Sequence, residues 1–462
     1  MNLRFVFCLL TLLFAAPALR AAETRPNIVL FLSDDHGIGF VGCYGNTVVR
    51  TPNIDALAKE GLRFTKMFAA SPTCAPSRAV IYSGLHSARN GLMGNHTACR
   101  PDLRTLPHYL RELGYRVVLA NKLHVKPETV VPFEMLKATL PVNPEIKRRY
   151  RAEGLDTKAV DRFLAAHRQE QPDKPLCLIL ADNAPHVVWE KNKTYDPAKL
   201  PISPIMVDTL KTRTALANYY QDITTMDGRV GEVAQSLKRH GFVDNTLFIY
   251  TTDQGAEWPR SKWTAYDSGI HVPFIARWPG VIKPGMTTEA LCSFVDVLPT
   301  FIELAGGKAP KEIDGRSFVG VLRGKAKGHN EFIFASHTRD GDMNVFPQRC
   351  IRDARYKFIF NLLPENKWTT HFTKVMDIPD SHGDVYATWI EKAKTDPATA
   401  KLVETIERHP RFELYDTQAD PYELNNLVDK PEQARRVAEL RGRLGEWLKQ
   451  QNDADALGAW KN

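Results

Sequence analysis

Four short apolar runs, each handing over to a polar cluster, constrain this chain more than any other feature. The run NIVLFL at 27–32 leads into Asp34, Asp35, His36 and Gly37. YRVVLA at 115–120 leads into Asn121, Lys122, Leu123 and His124. LCLIL at 176–180 is followed by Asn183, Ala184, Pro185 and His186, and TLFIY at 246–250 by Thr252, Asp253, Gln254 and Gly255. Runs this short, rich in β-branched and aromatic residues and lacking polar alternation, read as strands buried on both faces, the habit of parallel sheets. Open α/β sheets bind ligands at the carboxyl ends of such strands, which is where all four polar clusters fall.

Helical patterns separate the runs. One starts at Asn53 after Pro52 and stops at Gly61, one spans 106–114 and stops at Gly114, and one covers 215–240 before Gly241. Alternating strand and helix predicts an α/β fold with a doubly wound sheet. The pattern changes after a loop rich in glycine and lysine at 320–328. EFIFA at 331–335 and RYKFIF at 355–360 read as strands, and 431–450 as a helix. The expected organisation is a catalytic domain over 23–325 and, over 326–462, a smaller C-terminal α+β domain with an antiparallel sheet.

Residues 1–22 read as a secretory signal peptide: Arg4, an apolar stretch at 5–16, then small residues at Ala16, Ala18, Ala21 and Ala22. The expected product is exported, periplasmic or secreted. No apolar run reaches the roughly 20 residues that span a bilayer. With 43% hydrophobic and 25% charged residues the chain can bury a core, which excludes disorder as its main state. The net charge of +8 suits an acidic ligand, but no basic run with interleaved aromatics points to nucleic acid. Once the leader is removed, Cys43, Cys74, Cys99, Cys177, Cys292 and Cys350 remain, with no C-x-x-C or zinc spacing. Their pairing and the oligomeric state are not legible.

The most specific string is CAPSR at 74–78, followed by AVIYSG at 79–84. It resembles the C-x-P-S-R maturation motif of type I formylglycine-dependent sulfatases. The resemblance extends from RPNIVLFLSDD at 25–35 to FELYDTQADPYELNNL at 412–427. It implies an alkaline-phosphatase-like, doubly wound mixed sheet with a smaller C-terminal domain. It also implies that a separate maturation enzyme oxidises Cys74 to formylglycine. One hydroxyl of the aldehyde hydrate then attacks sulfur, and deprotonation of the other ejects sulfate and regenerates the aldehyde.

The same resemblance assigns Asp34, Asp35, Asp253 and Gln254, with the modified Cys74, to a hard divalent cation, calcium or alternatively magnesium. Gln254 departs from the commoner Asn or His. Arg78 is expected to hold the hydrate. Lys122 is expected to bind sulfate and His124 to contact the hydrate, an i, i+2 pair that an extended segment turns to one side. His186 matches the second histidine of an H-x-P-H string whose first is here Asn183, and is expected to protonate the departing atom. Lys262 is expected to bind sulfate and stabilise the leaving group.

Residues 122–133 and 90–96 are similar to the N-sulfoglucosamine sulfohydrolase branch of the family. The layout of 347–352 with 358–362 is similar to that branch's substrate-facing region. Ser336 and His337 match a Ser-His there, which makes His337 a candidate sugar contact, with a surface-loop histidine as the alternative. The expected activity is hydrolysis of sulfate from a sulfated amino sugar of a glycosaminoglycan, N-sulfoglucosamine first. The alternatives are a carbohydrate O-sulfatase, for instance for 6-O-sulfated glucosamine, a phosphatase or phosphodiesterase of the same superfamily, and a saccharide-binding protein without turnover. Cys74 in its motif and a single oxygen-rich site argue against the phosphatase.

Overall fold

The computed structural model describes residues 25–136, 154–376 and 379–460. The signal-peptide expectation for 1–22 lies outside the described residues. Eight strands form the main sheet: β1 (Asn27–Ser33), β2 (Leu62–Phe64), β3 (Arg116–Asn121), β4 (Glu134–Leu136), β5 (Leu176–Ala181), β6 (Thr246–Thr252), β7 (Phe274–Arg277) and β8 (Met286–Thr288). Their spatial order is β4-β3-β5-β1-β6-β7-β2-β8. The four runs singled out above are β1, β3, β5 and β6, adjacent and parallel, so their carboxyl ends open on one edge. β7 runs antiparallel to β6 and β2, which makes the sheet mixed.

Alternation along β1 explains the two layers. Ile28, Leu30 and Leu32 join a core with α2 (Cys74–Ser83), α3 (Leu106–Glu112) and α6 (Val297–Leu304). Val29 and Phe31 join the opposite core with α1 (Pro52–Lys59), α4 (Thr157–Glu170) and α5 (Leu210–Arg239). The long helix starts five residues earlier than its apolar spacing indicates, because Thr209 caps it by accepting from Thr212 N.

A second sheet is antiparallel, in the order β9 (Ile333–His337), β10 (Gln348–Arg352), β11 (Tyr356–Asn361) and β12 (Phe412–Asp416). Leu440, Leu444 and Leu448 of α9 (Ala434–Gln451) cover one face of it. The helices between β11 and β12 do not. α7 (His382–Ala393) and α8 (Pro397–Glu407) pack on the first domain's core, where Trp389 Nε1 donates to Thr212 Oγ1 at 2.7 Å. Residues 326–462 therefore divide between two packing partners. Among the described residues no helix is long and apolar enough to cross a membrane.

Candidate active site

The carboxyl ends of β1 and β6 set the floor. Asp34 and Asp35 follow β1, and Asp253 follows β6. Asp35 N donates to Asp253 Oδ1 at 3.2 Å. Asp35 takes a left-handed backbone with φ of 65°, held by Tyr219 of α5, whose hydroxyl donates to the Asp35 carbonyl at 2.6 Å. Asp34, Asp35 and Asp253 are fully buried, and an oxygen of each lies within 4.8 Å of the others.

Helix α2 brings its first residue, Cys74, to this floor and Arg78 one turn below it. The Cys74 Sγ lies 3.4 Å from Asp34 Oδ1. Arg78 Nε donates to Asp253 Oδ2 at 3.0 Å, Nη2 to Asp34 Oδ2 at 3.3 Å and Nη1 to the Lys122 carbonyl at 3.1 Å. Lys122 Nζ pairs with Asp34. Lys262 Nζ lies 2.7 Å from Asp35 Oδ2 and 3.0 Å from Glu257 Oε2. His186 Nδ1 donates to the Val187 carbonyl at 2.6 Å, and its Nε2 stands 3.7 Å from both Asp35 and Glu257. His124 Nε2 lies 3.4 Å from His96 Nδ1.

Burial first, and then neighbouring charge, sets the protonation of this cluster. Burial pushes the Asp34 carboxyl up, but Lys122 and Arg78 outweigh it and hold Asp34 well below the usual range. Burial raises Asp35 despite Lys262, and burial with the Asp34 charge lifts Asp253 to about 6. Burial, then Lys122, depresses His124 to about 2; burial, then Lys262, brings His186 to about 4. Burial and Asp34 also push the Cys74 thiol up.

A cation fits here. Three carboxylates converge, and Gln254 Oε1 is buried without a hydrogen-bond partner while its Nε2 donates to Asp35 and to Cys74 Sγ at 3.2 Å. An all-oxygen donor set with an orphaned amide oxygen suits a hard divalent ion.

Above the floor opens a cavity of about 740 Å³, lined by Cys74, Lys122, His124, His186 and Lys262 among the residues read from sequence. Asp34, Asp35, Arg78, Asp253 and Gln254 lie fully buried beneath it. His337 is the exception: it is 1% exposed and does not line the cavity. Its Nε2 donates to the Asn344 carbonyl at 3.1 Å and its Nδ1 accepts from Thr73 Oγ1 at 3.1 Å, so no ring nitrogen is left for a sugar. It anchors the residue before Cys74 instead. The substrate-facing reading of 347–352 is corrected likewise, since Gln348–Arg352 form buried strand β10 and none of 347–352 lines the cavity.

Sequence reasoning missed Glu257, Asn95, Arg229, Trp263, Asp340, His371 and His382, which also line the cavity. Glu257 had a signal: it is an acid between Asp253 and Lys262. Asp340 and His371 sit in the C-terminal segment with no strand or long helix around them, and His382 opens the amphipathic helix α7.

The sulfatase family model matches residues 26–307, and the model of the N-sulphoglucosamine sulphohydrolase C-terminal region matches 258–388. An ulvan-active sulfatase of Formosa agariphila is 34% identical over 94% of this chain and 82% of its own length. Human N-sulphoglucosamine sulphohydrolase is 27% identical over 93% and 91%. A solved structure of a complex with its substrate D-glucosamine-2-N,6-O-disulfate superposes with a TM-score of 0.68 at 22% identity, covering 93% of this chain and 98% of that one. The fold is the alkaline-phosphatase-like fold of the solved sulfatases, and members of the matched family use a formylglycine and a divalent metal. With a family model spanning most of the chain and a relative above 30% identity along nearly its whole length, this protein belongs to the sulfatase family.

Proposed function

We propose that this enzyme, exported by its 1–22 leader, removes sulfate from a sulfated amino sugar of a glycosaminoglycan, with N-sulfoglucosamine as the first substrate. Cys74 is the residue converted to formylglycine, and Asp34, Asp35, Asp253 and Gln254 hold calcium. The observation that carries the reading is the convergence of three buried acids and three cations on Cys74 at the start of α2. When bound, the cation supplies Lewis acidity towards a sulfate oxygen, and the modified residue supplies the nucleophile.

The chain's own groups do the rest. Lys122 and Lys262 neutralise the sulfate charge in a site sheltered from water. The Val187 carbonyl holds the proton of His186 on Nδ1, so Nε2 is the nitrogen that carries a proton to the departing atom. Glu257, 3.7 Å away, pulls towards the protonated ring, against burial and Lys262, which lower it. Arg78 fixes Asp34 and Asp253 against each other.

Support for the amino sugar comes from where the resemblance lies. The segment matched to the sulphohydrolase C-terminal model supplies Lys262, Trp263, Asp340, His371 and His382 to the cavity wall. A second reading, removal of an O-sulfate from a carbohydrate, is supported by the similarity to an N-acetylglucosamine-6-O-sulfatase of Bacteroides thetaiotaomicron, 24% identical over 93% of this chain. The test is coproduction with a maturation enzyme, confirmation of formylglycine at position 74 by peptide mass, and sulfate release with calcium present. Release from N-sulfoglucosamine is expected. Release from glucosamine 6-sulfate alone moves the assignment to O-sulfatase, and zinc-dependent release of phosphate from an aryl phosphate at a comparable rate overturns the sulfatase reading.

A further inference from the structure

The cavity wall carries an acid that the sulfate chemistry does not use. Asp340, on the loop after β9, is 5% exposed and lines the same cavity as Cys74. Its Oδ1 accepts from Asn95 Nδ2 at 3.0 Å and its Oδ2 from Trp263 Nε1 at 2.8 Å. Among the described residues its ion-pair partners are the imidazoles of His96 at 3.4 Å and His371 at 3.9 Å, with no lysine or arginine. A carboxylate in a cavity built to take an anion weakens that anion's binding by Coulomb repulsion. Such a placement is offset where the acid contacts some other part of the ligand.

The acid has the capacity. An ionised carboxylate offers about four lone-pair positions, of which Asn95 and Trp263 take two. Those two donors also lock its rotamer, the condition for precise recognition. Its position follows from Asn95, which spans the gap with one side chain: Oδ1 accepts from Ala75 N at 3.2 Å, next to Cys74, while Nδ2 holds Asp340. A single pyranose ring with its sulfate at Cys74 can therefore touch both.

We propose that Asp340 reads the sugar, accepting charge-assisted hydrogen bonds from ring hydroxyls of the residue that bears the scissile sulfate. The inference rests on the saccharide reading above but not on which sulfate is removed. Hydrogen bonds to a charged group are the stronger kind, and losing them costs roughly ten- to hundred-fold in kcat/KM.

The experiment compares wild type with Asp340→Asn, both carrying verified formylglycine and calcium, on N-sulfoglucosamine, glucosamine 6-sulfate and 4-nitrophenyl sulfate, which has no ring hydroxyls. The expected result is a fall of roughly ten- to hundred-fold in kcat/KM on the sugar that the wild type turns over, mainly through KM, and a fall at least ten-fold smaller on the aryl sulfate. Retained aryl sulfate turnover shows that the site is folded; if Asp340→Asn does not fold, Asp340→Ser replaces it. Equal falls on both substrate types, or no fall on the sugar, overturn the proposal. Wild-type turnover of the O-sulfated sugar alone corrects the assigned bond and leaves the Asp340 comparison to be read on that sugar. Turnover of the aryl sulfate with neither sugar accepted overturns both readings.

Discussion

Two of the buried charge clusters in this molecule are built differently. The first surrounds Cys74: Asp34, Asp35, Asp253 and Glu257 against Arg78, Lys122 and Lys262. The second lies where the two sheets' domains meet. There Arg352 donates to Asp267 at 2.8 and 3.1 Å, and Lys357 Nζ lies 2.5 Å from Asp267 and 2.8 Å from Glu423. Two acids face two bases in the second cluster. Arg352 also reaches Thr417 Oγ1 at 2.9 Å and lies over the Phe68 ring at 4.4 Å. That cluster is closed and electrically matched. Burial lifts one carboxyl in each, Asp253 to about 6 and Glu423 to about 7, but the first alone of the two has an excess acid, an orphaned amide oxygen at Gln254 and an open cavity above it. Unmatched buried charge is costly, and it persists where a ligand is to complete it. The matched cluster joins the domains, and the unmatched one has the donor groups that could hold a metal ion.

Three measurements break or sharpen that contrast. The largest effect is expected at Cys74. Cys74→Ala or Cys74→Ser removes the nucleophile and should lower sulfate release roughly 10⁴-fold or more with the thermal midpoint nearly unchanged. Near-normal release by either variant would sink the nucleophile assignment. Next is Arg352→Met, which leaves Asp267 with only Lys357 as its cation. Breaking a buried pair costs about 3–5 kcal/mol, read as a lowered midpoint in urea, with the turnover of the surviving folded protein kept. A variant as stable as wild type would show that the second cluster contributes no cohesion. The smallest effect separates the clusters directly. Calcium at about 100 times its dissociation constant should stabilise the wild type by about 2.7 kcal/mol, a gain removed by a chelator and absent in Asp253→Ala. Equal stabilisation of that variant would place the cation elsewhere.

The strands and the helix starts that position the chemistry were legible because they are local. β1 and β6 announce themselves by apolar runs, and the acids follow at once, so no long-range knowledge was needed to place Asp34, Asp35 and Asp253 at strand ends, whereas the pairing of the two strands is tertiary. Cys74 and Arg78 were legible because CAPSR at 74–78 resembles the sulfatase maturation motif. The wall of the cavity was not. His337 matched a pattern in sequence, yet in the fold it points inward and supports Thr73, since a strand's last residue faces whichever side its sheet packs on. The helices α7 and α8 were not separable from the second domain by sequence, because amphipathic helices do not record which apolar surface they will meet.

By itself, then, the sequence determined four central strands with the polar clusters at their ends and the motif segment that carries Cys74 and Arg78. Each of these depends on neighbours within a few residues along the chain. Tertiary structure alone decided that Tyr219 would clamp the backbone of Asp35, that Glu257 would join Lys262 to His186 and His382, and that Asp340 would hang beside Cys74 from the other domain. Those contacts join residues distant in sequence, and they exist only because burying two layers of apolar side chains on one sheet brings its loops together at a single edge.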